Sequence, residues 1–204
     1  SNTTSGTGGG LRLNNDANVN PATIVDALFR GNRGVGAGSA GGGIFTTRPL
    51  LVTNSQFISN TARTGGAIGF ASSGNPGGQI SGGLFERNTA NAANNAAGGA
   101  ITIRGPLGIN GVTFLTNTVV MNTFSAPAGG GAINSTRALT VANSLLSGNR
   151  CLNAGCLGGA ILISGTQTTR VTGSRLLSNS AGGDGGALYQ QTGTTIVNTS
   201  CIVD

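Results

Sequence analysis

The sequence predicts an all-β fold, a parallel β-helix (β-solenoid) of about seven rungs forming a single domain over residues 1–204. Three observations predict it. A glycine pair followed by an aliphatic recurs with starts near 8, 41, 65, 98, 130, 158 and 185. Each copy is followed by a β-branched residue and, five positions later, by an aromatic or aliphatic residue that in the first six copies Asn closes off three positions on. Finally, the spacing between glycine pairs runs from 24 to 33 residues, too short for a four-stranded propeller blade of about 40–50 residues.

The first aliphatic column is Leu11, Ile44, Ile68, Ile101, Ile133, Ile161 and Leu188, and the second is Ile24, Val52, Ile80, Ile109, Val141, Val171 and Val197. Every member of the second is β-branched, which restricts χ1 and packs well on a pleated surface. The third column, Phe29, Phe57, Phe85, Phe114, Leu146, Leu176 and Ile202, is the expected core ladder. With rungs ~4.8 Å apart its rings stack, and Phe85→Ala is expected to cost ~3–5 kcal/mol. A small column lies between the second and third, Ala27, Ser55, Gly83, Val112, Ser144, Ser174 and Ser200, and lets the coil bend or two walls approach. Asn32, Asn60, Asn88, Asn117, Asn149 and Asn179 form the last column. Asn suits a turn because it tolerates the left-handed conformation, and stacked amides can also bond between rungs. A row of amides for a ligand is the functional alternative. Each unit thus has three short apolar stretches, and it lengthens before the β-branched residue or after the Asn. Insertions 89–97 and 118–129 are expected to decorate one side as loops.

Composition narrows the function. The chain is 37% hydrophobic and only 8% charged, which favours folding over disorder. Eleven Arg stand against five acids, with no Lys and no His, giving a net charge of +6. The Arg residues are scattered singly without interleaved aromatics, so no nucleic-acid partner is expected. No apolar run of ~18 residues occurs, so no transmembrane helix is expected. Residues 1–10 lack the charged and apolar regions of a signal peptide. Without polar capping repeats at either end, a part of a longer chain, or rungs that continue into a neighbouring molecule, is expected.

Pairs of Gly-Gly-Ala-Ile with Phe-x-x-Asn carry a resemblance. Gly65-Gly66-Ala67-Ile68 with Phe85-Glu86-Arg87-Asn88, and Gly98-Gly99-Ala100-Ile101 with Phe114-Leu115-Thr116-Asn117, are similar to the repeats of chlamydial polymorphic outer-membrane proteins and related β-helix surface proteins. Gly130-Gly131-Ala132-Ile133 and Gly158-Gly159-Ala160-Ile161 keep the first motif, but Leu146 and Leu176 replace Phe in their partners. The resemblance implies a right-handed parallel β-helix at a cell surface, with adhesion as the commonest role. The expected partner is a cell-surface protein or glycan, or copies of the chain itself.

Catalysis needs clustered groups. β-Helices include pectin-degrading enzymes, whose sites use paired carboxylates or calcium-binding acids with a base. Asp16, Asp26, Glu86, Asp184 and Asp204 take different places within their rungs, and the common bases His and Lys are missing. No catalytic, metal-binding or cofactor-binding residue is therefore assigned, and no cofactor is expected. Cys151 and Cys156 flank a four-residue loop and are read as a disulfide of an oxidising, extracellular setting, with free thiols or half a metal site as alternatives. Cys201 is expected as a buried thiol of the seventh rung. Asn2, Asn134 and Asn198 head candidate glycosylation sequons. The functional expectation is a non-catalytic extracellular or cell-surface module with an adhesion or surface-layer role. The alternatives are a structural subunit stacking end to end into a filament and a pectate-lyase-like carbohydrate-active enzyme.

Overall fold

Parallel pairing in register requires that residues one coil apart have compatible side chains, and the columns supply them. The chain is a parallel β-helix with no helix among the described residues; the computed structural model describes residues 1–14, 20–71, 76–93, 95–121 and 128–203. Its strands form four seven-stranded parallel sheets, one strand from each coil. In chain order the first coil passes through wall I at Thr3–Thr4, wall II at Leu11–Leu13, wall III at Ala22–Val25 and wall IV at Leu28–Arg30. The next coil begins with Arg33–Gly34 back in wall I.

All three apolar columns pair as ladders. Ile68 pairs with Ile44 and Ile101 in wall II, Ile80 with Val52 and Ile109 in wall III, and Phe85 with Phe57 and Phe114 in wall IV. The four Phe rings stack with centroids 5.0, 4.7 and 4.9 Å apart and planes within 18°. Phe57, Phe85 and Phe114 are fully buried, in one core with Ile44, Ile68, Ile101, Ile133 and Ile161.

Wall I is the main departure from the three-stretch expectation. It starts one residue past the Asn, as in Thr61–Ala62, Thr89–Ala92 and Thr118–Met121. The two segments expected as decorating loops therefore begin as sheet. Ala90, Ala92, Ala96, Val119, Met121, Ala128, Cys151 and Cys156 form a second, smaller buried cluster separate from the main core. The coil consequently has two lobes. The second glycine of each pair sits where they meet. A Cβ on Gly66 would lie 2.3 Å from the Gly99 carbonyl oxygen and 2.6 Å from the Thr89 nitrogen, so the chain leaving one lobe touches the chain entering the next.

Two columns differ from their expected roles. The ladder Asn residues are not left-handed; positive φ falls on the residue before them, at Ser59, Arg87, Thr116 and Ser178, with glycine at 31 and 148. The Asn side chain is thereby aimed inward to bond between coils, and the preceding residue takes the turn. The small column also does more than relieve crowding. Ser55, Ser144, Ser174 and Ser200 hydroxyls accept from the main-chain N–H of Ala27, Val112, Ser144 and Ser174 one coil back, at 3.1–3.2 Å. Each also donates to the carbonyl two residues before it.

One core residue breaks the polar accounting. Thr169 is fully buried in the column of Leu139, yet its Oγ1 has no hydrogen-bond partner among the described residues. Valine has the same shape without the hydroxyl. Thr169→Val is expected to raise stability by about 1 kcal/mol, the low end of the cost of an unsatisfied buried polar group. Urea unfolding followed by circular dichroism checks this, and an unchanged or lowered midpoint would refute it.

Candidate functional site

Side chains that recur in every coil are candidates either for scaffold or for a binding row, and hydrogen bonding decides between them. Asn60, Asn88, Asn117 and Asn149 are fully buried, Asn32 is 5% exposed and Asn179 is 7% exposed. Asn88 is representative. Its Oδ1 accepts from both the main-chain N and the Nδ2 of Asn60, while its own Nδ2 donates to Asn117 Oδ1 at 3.0 Å and to the Phe57 carbonyl at 2.8 Å. Both amide ends are consumed, so the amide row offers nothing to a ligand. Asn2 extends the ladder, donating through N and Nδ2 to Asn32 Oδ1.

The sequons fare differently from one another. Asn134 is 7% exposed within a wall II strand, which leaves no room for a glycan there, because the second lobe covers that side of the wall. Asn2 spends its amide on the ladder, and Asn198 is exposed. Cys151 and Cys156 form a disulfide with Cα atoms 5.5 Å apart, inside the smaller core. Cys201 is exposed, contrary to the expectation of a buried thiol. Strand alternation accounts for this: Ile202 occupies the inward column beside Leu176, so its neighbour Cys201 points out.

The three described acids take separate places in the fold. Asp26 lies at the corner between walls III and IV of the first coil, Glu86 ends a wall IV strand two coils on beside its ion-pair partner Arg87, and Asp184 precedes the last glycine pair. Asp16 and Asp204 fall outside the described residues. Among the described residues no three His, Cys, Asp or Glu side chains gather as a metal-holding set.

What remains is shape, and the concave surfaces trace to differences between consecutive coils. The shortest unit crosses the second lobe in only Thr61 to Thr64, while its neighbours use residues 33–40 and 89–97. Pairing of Thr61 with Arg33 on one side and Thr89 on the other puts that short crossing between two longer ones. The result is a notch of about 380 Å³. Thr61, Ala62 and Arg63 floor it, with the stretch from Arg33 to Ser39 on one flank and Asn91 to Ala93 on the other. A smaller groove of about 260 Å³ crosses the outer face of wall III, where Gly108 leaves a gap between Gln79 and Thr140. A third concavity, of about 390 Å³, lies along Thr116, Thr118, Arg150, Ser178 and Ser180.

Spacing in the sequence revealed the short unit but not the notch, which needs the register of three coils. The segment 89–97 supplies a flank of the notch through Asn91, Ala92 and Ala93, and 118–129 contributes Val119, Met121 and Ala128 to the smaller core. No known protein family, curated protein or solved structure matches the chain.

Proposed function

We propose that the chain is a non-catalytic module of an extracellular or cell-surface protein, with an adhesion or surface-layer role. The observation that carries this is the Cys151–Cys156 disulfide buried in the smaller lobe, because disulfides persist in oxidising compartments and are rare in the cytosol. The Gly-Gly-Ala-Ile and Phe-x-x-Asn repeats and their likeness to β-helix surface proteins support the same reading. So does the division of labour: amides, serines and apolar columns are spent on the scaffold, while length varies outside those columns, between walls II and III and most of all across the smaller lobe, and recognition is usually carried on such segments.

An antibody to the folded chain, applied to intact cells that make it, is expected to label their surface. Labelling only after permeabilisation would refute the placement, and cleavage of an offered oligosaccharide would refute the non-catalytic role. A second reading, a subunit that stacks end to end, draws on the four in-register parallel sheets, whose strands repeat the same pairing from coil to coil. Filaments seen by electron microscopy of the native material would favour it, and discrete particles the first.

A further inference from the structure

We propose that the notch over the shortest coil binds an anionic sugar unit through a carboxylate or a sulfate ester. The inference rests on the surface-module reading and names its ligand class and its contact site. Among the described residues, the two charged side chains that line the notch, Arg33 and Arg63, are both basic. Of the described acids none lines it, and Glu86 is engaged by Arg87. The chain as a whole carries +6, so long-range attraction has the same sign as the local field.

Local geometry prepares the floor before any ligand arrives. Arg63 Nη1 donates to the Ala37 carbonyl, 2.6 Å away across the notch, which holds the guanidinium against the flank. Arg63 main-chain N donates to Ser39 Oγ at 3.1 Å, and that hydroxyl donates to the Gly34 carbonyl at 3.0 Å. A braced floor loses less freedom on binding. Guanidinium groups match carboxylate and sulfate oxygens through a planar fork of N–H donors, which an ammonium does not provide.

The remaining lining suits a sugar. Thr61 and Asn91 bring a hydroxyl and an amide for ring hydroxyls, and Val35, 59% exposed, with Ala37 and Ala93 gives an apolar rim for the C–H face of a ring. Among the described residues no aromatic side chain lines the notch. Nucleic-acid strands draw much of their affinity from base stacking on aromatics, so a polyanion without bases fits better. The volume lies within the range of ligand sites, about 300–1,000 Å³.

Calorimetry on the full chain tests this with three probes: trigalacturonate for the carboxylate, a sulfated disaccharide for the ester, and maltotriose as the neutral reference. One of the anionic probes is expected to bind at a single site and maltotriose not at all; which anion binds tighter identifies the source. Arg33→Gln and Thr61→Glu are each expected to weaken binding about tenfold or more, the scale of a charged hydrogen bond. Both alter exposed or half-buried side chains and should leave the circular dichroism spectrum unchanged. Arg175→Gln, on the outer face of wall IV, should leave binding unchanged. Absence of binding by both anions, an equal loss in Arg175→Gln, or tighter binding of an oligothymidylate of matched charge would overturn the proposal. Intact-cell labelling is independent of the notch, so a failed site with a labelled surface removes the ligand and keeps the placement.

Discussion

Gly99→Ala is expected to leave the chain largely unfolded at ambient temperature, although it adds one methyl group. Its Cβ would sit 2.0 Å from the Gly131 carbonyl oxygen, 2.7 Å from the Thr118 nitrogen and 2.8 Å from the Thr118 carbonyl carbon. All three are main chain, so no side chain can rotate away. Gly131 is the same position one coil on, and Thr118 begins the wall I strand that closes the same coil. Relief therefore requires parting either two coils or the two lobes, and both separations break parallel ladders. An overpacked site with movable neighbours costs about 1–3 kcal/mol; this one has none, and a cost of 5 kcal/mol or more is expected, comparable with the whole stability of a small domain, about 5–15 kcal/mol. Gly108→Ala is the matched control. Its Cβ meets only Gln79 Cγ at 3.7 Å, and it should stabilise by about 0.5 kcal/mol through lost freedom of the unfolded chain. Thermal unfolding of the two variants checks the pair, and similar midpoints would show that the waist between the lobes yields.

These two glycines also show how far the sequence could be read. Both are glycine in the text; only the glycine-pair repeat marks Gly99 as special. Walls II, III and IV were legible because their inward columns are aromatic or branched aliphatic and recur at fixed offsets. Wall I was not. Its inward positions are Gly34, Ala62, Ala90, Val119, Cys151 and Ala181, mostly small residues whose burial comes from the closeness of the opposite strand. A column of that kind carries little hydrophobic signal, so in the sequence it reads as insertion. The left-handed corners were hidden for a related reason. Thr116 and Arg87 hold positive φ at a cost of about 1–2 kcal/mol each, set by the coil against their own preference. Tertiary context chose those conformations. The notch was half legible, as an unusually short unit; which flanks rise beside it depends on pairing across three coils.

Asn117→Ala is expected to destabilise the chain by about 5 kcal/mol. Asn117 Oδ1 accepts from the main-chain N and the Nδ2 of Asn88, each at 3.0 Å, and its Nδ2 donates to Asn149 Oδ1 at 3.0 Å and the Phe85 carbonyl at 2.8 Å. Truncation strands two donors of Asn88 in a site that is fully buried, at about 1–3 kcal/mol apiece, and removes two further bonds worth about 1 kcal/mol each. Water cannot readily enter to replace them, because the ladder lies between the Phe stack and the glycine waist. Asp at the same position probes the polarity of the ladder. Asn117→Asp keeps an acceptor for Asn88 but loses the donor and places a buried charge against Asn149 Oδ1, so it should cost at least as much at neutral pH as alanine does. Equilibrium urea unfolding of both variants, with Asn198→Ala as an exposed reference, measures the effect. If Asn117→Ala fell within about 1 kcal/mol of that reference, the amide ladder would be an ornament of the coil, and the apolar columns alone would hold successive coils in register.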